Sequence, residues 1–173
     1  MIGIIAVNNK GYIGKDNKLM WHSSEDLKHF KAMSKDKVML VGHNTYQELP
    51  GVVKKRMIIV DGRGEPFENT LRLNDDIIPV LDGQPRNAKH VICIGGKKTY
   101  EKYCHLFTEL HISHINDDQV GDVKTPDWEN LNPECIVYHY NFEVNKPRED
   151  YDVTISPSDG HQCIKDSRTN KKE

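Results

Sequence analysis

The sequence predicts an α/β fold: a single domain on a central, mostly parallel, twisted sheet, with an antiparallel C-terminal strand and helices on both faces. Three observations predict it. Short apolar runs rich in Ile and Val alternate with segments of helical character along most of the chain. Two of those runs end in glycine and pass directly into a helix start. Near the end, strand-like runs follow one another with only a turn between them. A chain of 173 residues can bury one sizeable core and is short for two. The domain is expected over residues 1–156. Residues 157–173 are Ser-, Asp-, Lys- and Asn-rich with almost nothing to bury, and are expected to form a disordered tail.

The elements follow in order. Residues 2–8 read as a buried strand. Asn8 to Gly14 has turn composition, and a flexible stretch runs on to Asn17. Ser23 or Ser24 can cap a helix that ends near Ser34. Val38 to Val41 is a second strand, closed by Gly42, and His43 to Tyr46 opens a short helix. Met57 to Val60 is a third strand, closed by Asp61-Gly62-Arg63-Gly64. Residues 65–88 are weakly patterned, with apolar pairs broken by Pro79, and suggest a short strand and a poor helix. His90 to Ile94 is a fourth strand, followed by Gly95-Gly96 and a helix over 97–103. Thr108 to Ile115 is a fifth. An acidic loop spans Asn116 to Asp122, and Ile136–Phe142 and Tyr151–Ile155 are two closing strands.

Composition excludes several classes of function. The formal net charge of −2 gives no footing for non-specific binding to nucleic acid or to an acidic membrane surface. No apolar run approaches the roughly 20 residues that span a bilayer. The N-terminal run lacks a basic leader and a cleavage site, so it reads as a strand. Cys93, Cys104, Cys135 and Cys163 form no close pair and fit no zinc template, which predicts reduced thiols in a cytoplasmic protein without a metal. No long apolar stripe is left over, so a monomer is expected.

One acid stands out. On the helix after Ser24, Asp26 shares a row with Phe30 and Met33, with Leu27 beside them. A carboxylate at the edge of a buried stripe is costly without a partner, and suits a cationic or N–H-donating ligand. The alternative is a half-exposed acid favoured by the helix dipole.

The strand–Gly95-Gly96–helix junction lets a ligand approach bare backbone and presents free N–H groups to an anion. Gly42-His43-Asn44-Thr45 repeats the design. Two such junctions at the carboxyl ends of strands define a crevice suited to a dinucleotide. Neither the GxGxxG fingerprint nor a P-loop occurs, and a plain tight turn is the competing reading of each.

In this order and spacing the pieces resemble the dihydrofolate reductase family from residue 1 to about 155. They are Ile4-Ile5-Ala6, Gly11-Tyr12-Ile13-Gly14, Trp21, Asp26-Leu27-Lys28-His29-Phe30-Lys31, Gly42 to Thr45, Ile92 to Gly96 with Tyr100, His111 to Ile115, and Gly121-Asp122. The resemblance implies hydride transfer from C4 of NADPH to C6 of dihydrofolate, and antifolates such as methotrexate as ligands. Asp26, Trp21 and Ser113 would be the catalytic group: Asp26 on N3 and the 2-amino group of the pterin, Trp21 near an ordered water, and Ser113 bonding the carboxylate. Ile5, Ala6, Leu27, Phe30, Leu49, Ile94 and Tyr100 would line the substrate pocket. Val7, Ile13, Gly14, Gly42, His43, Asn44, Thr45, Asp61, Arg63, Ile94, Gly95, Gly96, Lys97, Lys98 and Thr99 would contact the cofactor, with a cis peptide between the two adjacent glycines. Residues 9–23 would close over the nicotinamide, with Gly121-Asp122 as partner loop.

The pattern departs in places. Met20 replaces the proline common before the tryptophan, which would loosen the loop. His43-Asn44 is less cationic than the family's usual pair, and Asp61 would repel a 2′-phosphate unless Arg63 or protonated His43 offsets it. NADPH is implied and NADH is left open. Lys55, or Arg56 after a one-residue shift, takes the place of the arginine that grips the folate glutamate; lysine there would weaken the grip. Two other readings compete: a riboflavin-pathway pyrimidine reductase of the same fold, and a non-catalytic folate- or nucleotide-binding module.

Overall fold

Ile2–Asn8 form β1, a strand bordered on both sides, so its run of apolar residues is buried on both faces. A computed structural model describes residues 1–16, 18–61, 70–73, 76–81, 84–85 and 90–145. Beside β1 lie β8 (Val91–Cys93) and β9 (Glu109–Asn116). Beyond β8 come β3 (Val38–Gly42) and β4 (Ile58–Asp61), and beyond β9 comes β11 (Ile136–Glu143). The order is β11-β9-β1-β8-β3-β4, and every neighbouring pair is parallel. The second closing run, Tyr151–Ile155, the expected antiparallel strand, lies outside the described residues, as does the tail.

Antiparallel pairing occurs in two small sheets. β2 (Tyr12–Gly14) pairs with β10 (Val123–Lys124). β5 (Thr70–Leu73), β6 (Asp76–Leu81) and β7 (Gln84–Pro85) form the other, so strands occupy the segment expected to hold a poor helix. The stretch from Asn8 to Gly14, read from its composition as a turn, therefore contains a paired strand. Its polar residues form bonds: the Asn8 carboxamide accepts from the N–H groups of Lys10 and Tyr12, at 3.1 and 2.9 Å.

Helices cover both faces. On one, Phe30 and Met33 of α1 (Ser24–Ser34) pack on Ile4, Met39 and Ile92. On the other, Tyr100 and Tyr103 of α4 (Lys97–Tyr103) pack with Ile5, Leu40, Cys93 and Leu110. Successive strand residues alternate between these cores, as the two-residue strand period requires. The short helices α2 (His43–Gln47) and α3 (Gly51–Lys54) link β3 to β4. Cys93, Cys104 and Cys135 are buried, and burial pushes the Cys93 thiol up to about 12. Among the described residues no helix is long and apolar enough to cross a membrane.

The start of α1 is fixed twice. Ser23 is the cap: its hydroxyl accepts from the Asp26 N–H at 3.2 Å. The carboxamide of Asn145, just past β11, accepts from the Ser24 N–H at 3.0 Å and donates to the Ser24 hydroxyl at 2.9 Å. The Asn145 N–H also donates to the His22 carbonyl at 2.8 Å. Ser23→Ala is expected to cost about 1 kcal/mol, read as a lower midpoint in urea unfolding.

Candidate active site

The helix so anchored carries Asp26 to the sheet. Asp26 is half-buried and faces Ser113 on β9, which pairs in register with Ala6 of β1. Burial raises the Asp26 carboxyl above the ordinary range, and the Ser113 hydroxyl partly offsets this. That hydroxyl is itself buried and closes no hydrogen bond of ordinary geometry among the described residues. Trp21 packs with Ile115, Tyr140 and Phe142, and with Ala6 and Met20 beside them. Its buried indole N–H likewise donates to no described group. Buried donors are seldom left so unless a ligand or water meets them. The site thus combines a poorly hydrated carboxyl with buried polar atoms that have bonding capacity to spare.

Tyr100 joins this region to the next. It is buried, its hydroxyl donates to the Ile4 carbonyl, and it feels the Asp26 charge. Phe30 packs beside Ile94 against the sheet. Leu49 is half-buried, while Leu27 is 45 % exposed and sits on the outer side of its helix rather than within the packed row.

A cavity of about 1030 Å³ runs along the carboxyl ends of the strands. Ile5, Ala6, Ile94 and Tyr100 form its inner end. Gly42 to Thr45 and Gly96 to Thr99 form its middle, and Asp61 lies at the end of β4. Ile13 and Gly14 of β2 border it as well. Of the expected cofactor residues, Val7 is buried and does not line it, Gly95 lies behind its surface, and Arg63 falls outside the described residues.

The two glycine junctions interlock. The Gly42 N–H donates to the Gly95 carbonyl at 2.7 Å. A Cβ on Gly96 would stand 2.8 Å from the Thr45 hydroxyl, and one on Gly42 would stand 2.5 Å from the Thr99 hydroxyl. Each threonine hydroxyl therefore fills the space left by the other junction's glycine. Gly95-Gly96 is a cis peptide, and Gly95 has φ +111°, a conformation open to glycine. The result is a cradle of backbone and hydroxyl groups that suits the phosphates of a dinucleotide.

Two loops form the rim. β2 pairs with β10, the Asp16 N–H donates to the Asp122 carboxylate at 3.0 Å, and the Asp122 N–H donates to the Gly14 carbonyl at 3.1 Å. The Gln119 carboxamide donates to the Met20 carbonyl at 2.7 Å. Residues 9–23 and the 116–122 loop are thus tied together along the cavity.

Lys55 is exposed. Arg56 donates to the hydroxyl of Ser34 at 2.9 Å and to its carbonyl at 2.6 Å, across the end of α1. Both border a second cavity of about 490 Å³ that is also lined by Lys31, Lys35 and Lys37. Ser34 is fully buried and its carbonyl keeps the Lys37 N–H, so Arg56→Ala, by taking the partner from its hydroxyl, is expected to cost about 1–3 kcal/mol, measurable by chemical denaturation.

The sequence placed Lys18 and Leu19 only as part of the closing loop, and Lys102, Val123 and Lys124 on the main cavity were missed. Lys102 had a usable signal: it lies four residues after Lys98, on the same side of α4. Val123 and Lys124 form the two-residue β10, too short for spacing to predict a facing partner.

The chain matches the family model described as dihydrofolate reductase over residues 1–156. It is 31 % identical over 121 residues to dihydrofolate reductase type 9 of Escherichia coli, covering 65 % of this chain and 68 % of that protein. It is 29 % identical over 128 residues to the dihydrofolate reductase of Mycoplasma genitalium, covering 70 % and 80 %. Among solved structures, the dihydrofolate reductase from Enterococcus faecalis, complexed with NADP(H) and RAB-propyl, aligns with a TM-score of 0.50 at 20 % identity, covering 73 % of this chain and 78 % of that one. With the family pattern spanning the sheet, the half-buried acid and both glycine junctions, this chain belongs to the dihydrofolate reductase family.

Proposed function

We propose that the protein reduces 7,8-dihydrofolate to 5,6,7,8-tetrahydrofolate with NADPH, and so supports one-carbon metabolism and thymidylate synthesis. The observation that carries this reading is the nearness of two features: the desolvated Asp26 carboxyl opposite Ser113, whose strand partner Ala6 lines the main cavity, and the passage of that cavity past Tyr100 into the glycine cradle. A planar ring with amidine-like N–H donors suits the first, and a dinucleotide suits the second.

When bound, NADPH supplies the hydride. The chain supplies alignment and a dry, charged setting. Asp26 takes two N–H donors from the pterin edge, and Ser113 holds that carboxylate in place. The Trp21 indole N–H, buried and met by no described group, binds an ordered water. Asp26 grips the side of the ring away from N5, so solvent delivers the N5 proton while the carboxylate makes the ring more basic. Phe30 and Leu49 hold the middle of the substrate. Arg56, fixed by Ser34, meets the glutamate with a planar fork that Lys55 lacks. Thr45, Gly96 and Thr99 hold the pyrophosphate, and the 9–23 loop covers the nicotinamide.

The same proposal has the protein act as a cytoplasmic monomer through its domain at 1–156. Supporting this, the exposed large apolar side chains among the described residues, Leu19, Leu27, Val52, Met57 and Val120, are scattered over α1, α3, the two rim loops and the approach to β4. Light scattering on a size-exclusion column reads the mass.

Ligand linkage tests the binding half of the reading. A ligand at about a hundred times its Kd stabilises the folded chain by about 2.7 kcal/mol. NADPH and methotrexate together are expected to raise Tm by several degrees. No shift with either ligand would overturn the reading.

A further inference from the structure

The far end of the main cavity holds an ion pair. Asp61 ends β4 and is only 8 % exposed. Lys102 reaches it from α4, with Nζ 3.0 Å from Oδ2 and 3.3 Å from Oδ1. Both residues line the cavity. So dry a carboxylate requires a counter-charge. The Lys102 side chain is 37 % exposed, and its ammonium has three N–H donors, more than one carboxylate uses.

Strand order turns this position into a ligand position. Asp26 faces Ser113 on β9, the glycine junctions end β8 and β3, and Asp61 ends β4. From β9 to β4 is a distance of roughly 19 Å at the usual strand spacing. On the functional reading above, the nicotinamide lies by the Asp26 pocket and the pyrophosphate over the junctions. The adenosine ribose then falls at Asp61.

We infer that the Asp61–Lys102 pair sets the choice between NADPH and NADH, with Lys102 as the cation that receives the adenosine 2′-phosphate. A carboxylate here accepts from a ribose 2′-hydroxyl and repels a 2′-phosphate. An ammonium favours the phosphate. Paired, the lysine cancels the repulsion and offers a spare donor. Lys98, one turn earlier on α4, and His43 line the same cavity, and His43 already meets the Gln47 carboxamide at 3.2 Å. The acid that departs from the family pattern is therefore compensated by a lysine that the departure itself does not reveal.

The test uses fragments that need no folate. Adenosine 2′,5′-bisphosphate and adenosine 5′-monophosphate are titrated into the full chain by calorimetry, and the ratio of their affinities is the readout. Lys102→Met is expected to lower the ratio about tenfold, the size of one lost charge-assisted bond. Lys102→Arg keeps it. Asp61→Asn, close to isosteric, is expected to raise it about threefold as the lysine is freed. Because Asp61→Asn moves the ratio the other way, the test does not depend on how well Lys102→Met folds. An unchanged ratio in Lys102→Met or in Asp61→Asn overturns the inference. A chain that shows these shifts yet fails to reduce dihydrofolate keeps the inference and loses the functional reading. A chain that reduces dihydrofolate with unchanged ratios does the reverse.

Discussion

Asp26→Asn is expected to lower turnover at neutral pH by at least about a hundredfold, the scale of a lost group acting on proton transfer. The amide keeps the shape and removes the charge that makes the pterin basic. Part of the activity should return as pH falls, because solvent then protonates the substrate without help. A pH–rate profile of both forms checks this, and full activity at neutral pH would remove Asp26 from its assigned role. Stability should move the other way. The folded state holds the Asp26 proton more tightly than the unfolded state does, because burial raises its pKa. Wild-type stability therefore falls as pH rises from about 4, the ordinary aspartate value, through the raised folded value. The asparagine form lacks this loss. It should melt higher than wild type at neutral pH, and the gap should close in acid.

Gly96→Ala is expected to weaken NADPH binding by about tenfold or more, the order of one lost charge-assisted hydrogen bond. The added methyl would stand 2.8 Å from the Thr45 hydroxyl, closer than a Cβ tolerates. Either Thr45 turns away or the strand–helix junction shifts, and both spoil the cradle. The two junctions are joined through Gly42 and Gly95, so the shift would reach both. Fluorescence titration with NADPH reads the loss. Unchanged affinity would place the pyrophosphate elsewhere.

How much of this was legible in the sequence depended on range. The central strands and α4 were legible because their patterns are local: an apolar run, a glycine, then a helical start. The cap of α1 was narrowed to two serines, and hydrogen bonding selects Ser23. The pairing of β2 with β10 was not legible, because three polar-flanked residues carry no period and their partner lies more than a hundred positions away. Around Pro79 a strand was expected and is found, but strands also stand where a poor helix was expected, because alternation is short there and a proline within a strand weakens the signal.

At the site, Asp26 stood out as a carboxyl beside a buried row, and both glycine junctions followed from turn chemistry. Ser113 as the partner of Asp26 came from resemblance, since strand register is not written in either segment alone. The Asp61–Lys102 pair illustrates the limit. Asp61 was visible as an acid after a strand, but the lysine that meets it lies on another element, and only packing brings them together.

The most direct measurement is oxidation of NADPH with dihydrofolate as substrate, run beside NADH and with methotrexate as inhibitor. The account predicts rapid, methotrexate-sensitive turnover, faster with NADPH than with NADH. No turnover with either dinucleotide would contradict it.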